Sequence, residues 1–275
     1  MSNLRAMNIA ATGMTAQQKR VDVAANNLAN ANTPGFKRSV AQFDELQYQT
    51  ERAPGMGEKD EGEFYPQGIQ YGTGVGIGAT LINFRPGESI ERAKDSLSWQ
   101  IMDNTGNNFF IINLPSGEQA YTRNGQFTLD DEGKITTIQG YTVDSEITVP
   151  VERKENIKIT NNGEVQVKLI DESDDAEPQV LGRINLAKFT NPQGLEQIGG
   201  GLFKKTNASG EVIEGNPNEG DFLGVMVRQG YIEASNTNSL TEITDLINSQ
   251  QTYSMNSKVI QVAEKMLDDI VRMKA

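Results

Sequence analysis

The sequence predicts an α+β protein: two long terminal helices form a coiled-coil-like domain, and an antiparallel all-β domain is inserted between them. An extended linker joins the first helix to the β domain. Three observations carry this prediction. Near both ends, apolar residues recur at spacings of three and four. Between the ends, short β-branched and aromatic runs alternate with turn residues. Residues 51–80 hold ten glycines and prolines and keep no sustained period. The boundaries expected are 1–32 for the first helix, 33–84 for the extended segment, 85–232 for the β domain and 233–275 for the last helix.

The first helix is read from Leu4, Met7, Ala11, Met14, Gln18, Val21, Ala25 and Leu28, of which only Gln18 is not apolar. Sustained spacings of this kind mark a seam that faces another helix. From Leu4 to Leu28 such a helix is about 37 Å long. At the other end, Ser239-Leu-Thr-Glu242 reads as a capping box with Ser239 as the N-cap. After it, Leu246, Ser249, Tyr253, Asn256, Ile260, Ala263, Leu267 and Ile270 keep the same spacing. A helix from Leu240 to Arg272 reaches roughly 50 Å.

In the middle, Phe109–Ile112, Gln126–Leu129, Lys134–Ile138, Ile147–Val151, Ile157–Thr160, Glu164–Ile170, Val180–Phe189 and Leu223–Arg228 read as strands. Asp131-Glu-Gly133 and Asn161-Asn-Gly163 fall between such runs and read as hairpin turns. In Glu164–Ile170 the apolar residues Val165, Val167 and Leu169 alternate with polar ones, the pattern of a half-exposed strand.

Composition excludes several kinds of chemistry. The 275 residues include no cysteine and no histidine. Disulfides, thiolate nucleophiles, Cys/His zinc sites and imidazole acid–base catalysis are therefore absent. The net charge of −12 is uneven. Residues 1–38 carry +4 and residues 236–275 carry −1, which leaves −15 on the middle. An acidic middle disfavours nucleic acid and anionic membranes as partners. No apolar run reaches membrane-spanning length, so no membrane insertion is expected. The first 30 residues lack the apolar core of a secretory signal. Gly74-Val-Gly-Ile-Gly-Ala79 superficially matches a dinucleotide fingerprint, but it is preceded by Tyr65-Pro66-Gln67-Gly68 and soon followed by Pro86-Gly87. The strand and helix that the fingerprint needs are missing. The acidic run Asp171–Glu177 has no calcium-loop spacing and reads as a solvated loop. No catalytic residue, cofactor or metal ligand is expected.

One stretch is unusual. AANNLANANTPGFKR (24–38) puts Asn26, Asn27, Asn30 and Asn32 at a helix end, each costing roughly 0.5–0.7 kcal/mol against alanine in a helix interior. Leu28 keeps the seam, while Asn26, Asn27 and Asn30 fall on other faces. Thr33-Pro34-Gly35 then turns the chain, with glycine tolerating positive φ, and Phe36 and Lys37 follow. This stretch resembles the signature of bacterial flagellar rod and hook proteins, carried here by Asn26, Asn27, Leu28, Asn30, Thr33, Gly35, Phe36 and Lys37. GYIEASNTNSLTEITDLINSQQTYSMNSKVIQVAEKM (230–266) is similar to the C-terminal region of that family. FFIINLPSGEQAYTRNGQFTLDDEGKITTIQGYTV (109–143) is similar to its β-domain core. FKRSVAQFDELQYQTERAPG (36–55) and PQGIQYGTGV (66–75) resemble the segment that marks distal-rod members.

The resemblance implies a structural subunit and not an enzyme. Its partner would be itself, in a stiff helical homopolymer that transmits motor torque. Further implied partners are the hook protein, proximal rod proteins, basal-body ring proteins, the rod cap and the export apparatus. The implied location is the basal-body rod spanning the periplasm, reached by export without a cleaved signal peptide. Assembly contacts would use the two seams, Leu4, Met7, Ala11, Met14, Val21, Ala25 and Leu28 with Leu246, Tyr253, Ile260, Ala263, Leu267 and Ile270. The asparagine amides would reach neighbouring chains. Alternatives are a proximal-rod or hook-type subunit, a coiled-coil adhesin or binding module, and a cell-wall hydrolase, for which no catalytic constellation stands in the sequence.

Overall fold

The computed structural model describes residues 2–54, 58–59, 63–64, 67–92, 97–144, 147–149, 157–167 and 178–274. The acidic run Asp171–Glu177 and parts of the strands expected at 147–151 and 164–170 lie outside them. The chain divides into two compact units, one of residues 1–28, 39–81 and 238–275, the other of residues 29–38 and 82–237.

The first unit holds helix α1 (Ser2–Ala29) and helix α2 (Ser239–Lys274). Neither contains proline, and both run through their whole apolar pattern. The cap of α2 differs from the expected box. Asn238 is the N-cap: its side-chain oxygen accepts the N–H groups of Leu240 (3.0 Å) and Thr241 (3.4 Å). An asparagine one residue earlier takes these orphan donors, which leaves Ser239 as the first helical residue and frees Glu242 for another role.

Within the segment read as an extended linker, the structure forms a nested β ribbon. Strand β1 (Ser39–Glu45) pairs with β6 (Val75–Ile82), β2 (Gln49–Arg52) with β5 (Ile69–Tyr71), and β3 (Glu58–Lys59) with β4 (Glu63–Phe64). The last two pairings are antiparallel, with Thr50 opposite Gln70 and Glu58 opposite Phe64. The glycines that hid the strand from sequence patterns are what allow it. A Cβ at Gly78 would lie 2.0 Å from the Asp44 carboxylate, and one at Gly76 would lie 3.2 Å from Leu46. Glycine lets the opposite strand's side chains rest on the backbone. The ribbon joins α1 through Val75, whose N–H is donated to the Thr12 hydroxyl (3.3 Å), and through Arg5, stacked 4.5 Å above the Tyr71 ring.

The second unit is β-rich. Among the described residues its largest sheet has nine strands. Its central strand, Asn108–Asn113, pairs antiparallel with Gln119–Thr122, Thr142–Val143 and Leu186–Phe189. Phe109-Phe-Ile-Ile112 is apolar without alternation because both faces are covered. Phe110 and Ile112 pack with Trp99 and Phe127 on one side, and Phe109 and Ile111 with Phe84, Phe189 and Phe203 on the other. Gly133 and Gly163 close the two expected hairpin turns at φ 78° and 77°. Two runs differ from their reading. Val180–Phe189 is two strands, Gln179–Arg183 and Leu186–Phe189, which belong to different sheets. Leu223–Arg228 begins with a turn at Gly224 (φ 82°), so its strand starts only at Met226.

Candidate assembly surface

Three contacts set the two helices of the first unit side by side. Gly13 lies against Asn256, Arg20 pairs with Asp245 at 3.0 Å, and the Asn27 amide donates to Glu242 at 3.1 Å. Numbers rise along one helix as they fall along the other, so the pair is antiparallel. The contacts step by seven residues along α1. At Gly13 a Cβ would come within 2.7 Å of the Asn256 amide nitrogen, so the missing side chain is what leaves room for that amide against α1.

The buried face of α1 is not the apolar line read from the sequence. Ala10, Ala16, Ala24 and Asn27 are buried, and Gly13 is half-buried between them. This face is rotated by one residue, about 100°, from Leu4, Met7, Ala11, Met14, Val21, Ala25 and Leu28. Of those, Leu4, Ala11 and Ala25 are exposed and the others are half-buried. The residues buried on this face are mostly small, and an apolar spacing pattern is dominated by larger side chains. On α2, by contrast, Ser249 and Ala263 are buried, and Leu246, Asn256, Ile260 and Leu267 are half-buried on the same side as Glu242. Tyr253 and Ile270 are exposed.

Helix α2 also carries a second apolar line, which shares only Ile270 with the line read from the sequence. Met255, Val259, Val262, Met266, Ile270 and Met273 are all exposed, Met273 by 81%. Their steps of three and four gave the signal; the inward line simply obscured it.

The asparagines have separate fates. Asn27, read as lying off the seam, is buried. Its amide N–H₂ donates to the Ser39 carbonyl (2.8 Å) and to Glu242, and its oxygen accepts the Ser39 N–H (2.9 Å). It therefore ties the end of α1 to the start of β1 and the first turn of α2. Asn30 accepts from the Thr33 hydroxyl at 3.2 Å, and Asn26 and Asn32 are exposed. Gly35 adopts φ 71°, and a Cβ there would meet the Asn124 backbone at 2.7 Å. Phe36 is half-buried.

Lys37 enters a buried charge cluster in the second unit that no local pattern foretells. Its ammonium donates to Glu233 and to the Arg85 carbonyl (3.0 Å). Glu233 accepts from Arg123 Nε at 3.0 Å, and Arg123 also holds Asp103 at 3.0 and 3.1 Å. The four side chains are at most 2% exposed, and their formal charges cancel. Burial, aided by the Arg123 charge, lowers the Lys37 pKa to about 8. For Asp103, burial pushes upward, but the Arg123 guanidinium and the Asn108 hydrogen bonds outweigh it and hold the carboxyl below its usual range.

Family models match three separate stretches. Residues 7–37 match "Flagella basal body rod protein", 105–167 match "Flagellar hook protein FlgE/F/G D1 domain", and 228–273 match "Flagellar basal body rod FlgEFG protein C-terminal". A flagellar basal-body rod protein FlgG of Caulobacter vibrioides is 43% identical over 96% of this chain and 97% of its own length. This chain belongs to the FlgG family of flagellar basal-body rod proteins. The FlgG of Borreliella burgdorferi is 42% identical over 96% of each chain, and that of Bacillus subtilis 30% over 98% of this chain and 99% of its own. The three FlgG-family segments meet in the buried cluster: the first contributes Lys37, the second Arg123 and the third Glu233.

Proposed function

We propose that the protein is a distal-rod subunit whose copies polymerise head-to-tail into a stiff helical tube that transmits motor torque to the hook. The observation that supports this reading is the exposed apolar line of α2, which remains after the inward line has met α1. An ordered apolar stripe on a soluble subunit is a docking face. A heterologous contact repeated by a screw operation gives an open filament. The exposed members of the α1 seam, Leu4, Ala11 and Ala25, extend the surface available to neighbouring copies, in coiled-coil-like packing between subunits. The protein acts as a structural element, with no catalytic role. Its other partners in this reading are the hook protein, proximal rod proteins, ring proteins, the rod cap and the export apparatus. Its place is the rod that spans the periplasm.

Negative-stain microscopy of concentrated protein tests the proposal. Open-ended tubes are expected; closed, small oligomers would instead favour a coiled-coil binding module. The ribbon has its own role here, packing between subunits and stiffening the tube. An isolated two-stranded ribbon is marginal in water and gains stability by packing. Deleting residues 51–80 should give a bendable polymer, and a polymer as stiff as the parent would refute the stiffening role.

A further inference from the structure

The chain has nine methionines and no cysteine, so methionine carries all its sulfur. Three methionines lie on the outer line of α2. Met255, Met266 and Met273 are spaced by eleven and seven residues, which puts them within about 20° of one another around the helix. They are 58%, 52% and 81% exposed. Val259, Val262 and Ile270 interleave with them, so the strip is apolar along its length. Methionine is flexible and polarizable and fits irregular contacts, and its thioether is also the group an oxidant changes most.

We propose that Met255, Met266 and Met273 form an oxidation-sensitive strip through which peroxide controls subunit addition. This rests on the reading that a neighbouring copy covers the outer face of α2. In the free subunit the thioethers are open to a two-electron oxidant. Hydrogen peroxide transfers one oxygen atom to sulfur: the sulfur lone pair attacks the peroxide, the O–O bond breaks, and the other oxygen leaves as water. The product sulfoxide is strongly polar and accepts hydrogen bonds. Burying it without a donor in the contact is unfavourable, and each one raises the concentration needed for polymerisation about tenfold or more. In the assembled polymer the same sulfurs are covered, so they react slowly. The strip thus blocks the addition of oxidised subunits and leaves completed polymer intact.

The test uses the full chain. Monomer is treated with hydrogen peroxide, oxidation is mapped by peptide mass, and the critical concentration for polymerisation is measured by sedimentation. Treated wild type should require at least about tenfold more protein to polymerise. A triple variant, Met255→Leu, Met266→Leu and Met273→Leu, treated identically, should keep the critical concentration of its own untreated form, because leucine has no sulfur to oxidise. Methionine sulfoxide reductases should restore the wild type. In preformed polymer the three sulfurs should oxidise more slowly than in monomer. Equal critical concentrations for treated and untreated wild type would overturn the proposal while leaving the assembly reading standing. Equal inhibition of the triple-leucine variant would likewise overturn it, by tracing the effect to other methionines. Failure of untreated protein to polymerise at any concentration would overturn both.

Discussion

Replacing Lys37 by methionine isolates the energetics of the buried cluster. In the native protein an ammonium with no solvent contact sits between Glu233 and the Arg85 carbonyl, with Arg123 nearby. Its pKa falls from 10.5 to about 8, so the folded protein releases this proton before the unfolded chain does. Below pH 8 both states are protonated, and the charge is held in the fold at a cost. Between pH 8 and 10.5 the unfolded chain binds the proton and the folded one does not, so stability rises with pH. At about 1.4 kcal/mol per pH unit, the full displacement amounts to roughly 3 kcal/mol. The sole tryptophan, Trp99, lies fully buried in the same unit and reports its unfolding by fluorescence. Urea titrations of wild type and Lys37→Met, carried out from pH 7 to 10.5, should show the wild type gaining on the variant by up to about 3 kcal/mol as pH rises. The companion change Glu233→Gln should be the more damaging at pH 7, by about 3–5 kcal/mol, since it leaves two buried cations sharing only Asp103. A difference between wild type and Lys37→Met that does not vary with pH would refute the account of a buried, charge-penalised lysine.

Three further outcomes follow from the geometry. Gly13→Leu should separate the helices at Asn256, cost about 1–3 kcal/mol and lower helical circular dichroism, while Trp99 fluorescence stays native. Asn27→Ala removes the partners of both Ser39 backbone groups and one donor to Glu242, and should cost about 1–3 kcal/mol, with faster proteolysis near residue 39. Because Asp103 is held below the usual carboxylate range, its contribution is present at neutral pH and is lost as pH falls through its folded value; acid titration followed by Trp99 should therefore show destabilisation that Asp103→Asn lacks.

Both helices were legible because their apolar spacing persists for many turns, and on α2 most of the selected line is buried or half-buried, while Tyr253 and Ile270 are exposed. On α1 the face buried within the chain lies about one residue away from the line that the same rule selects. The rule counts large apolar side chains, whereas the buried positions are the small Ala10, Ala16 and Ala24, with Gly13 half-buried between them. The hairpins around Gly133 and Gly163 were legible because turn chemistry is local. The ribbon was not, because Gly74, Gly76 and Gly78 look like loop residues until Asp44 and Leu46 are laid across them. The buried cluster was invisible for a different reason. Lys37, Asp103, Arg123 and Glu233 come from distant parts of the chain, and each by itself reads as a surface charge. The exposed methionine line was present in the spacing of α2 and was masked by its stronger companion.

The meeting of Lys37 with Glu233 bears on the order in which the molecule folds. Helices α1 and α2 are more than two hundred residues apart along the chain, and closing a flexible loop of that size costs on the order of 5 kcal/mol in chain entropy. Once the second unit has formed, residues 37 and 233 touch, and the Asn236 N–H reaches the Phe36 carbonyl at 3.4 Å. The segments leading to the two helices then leave from neighbouring points. Helix pairing becomes a nearly local event, and α1 has no mate until the β core has brought the two departure points together.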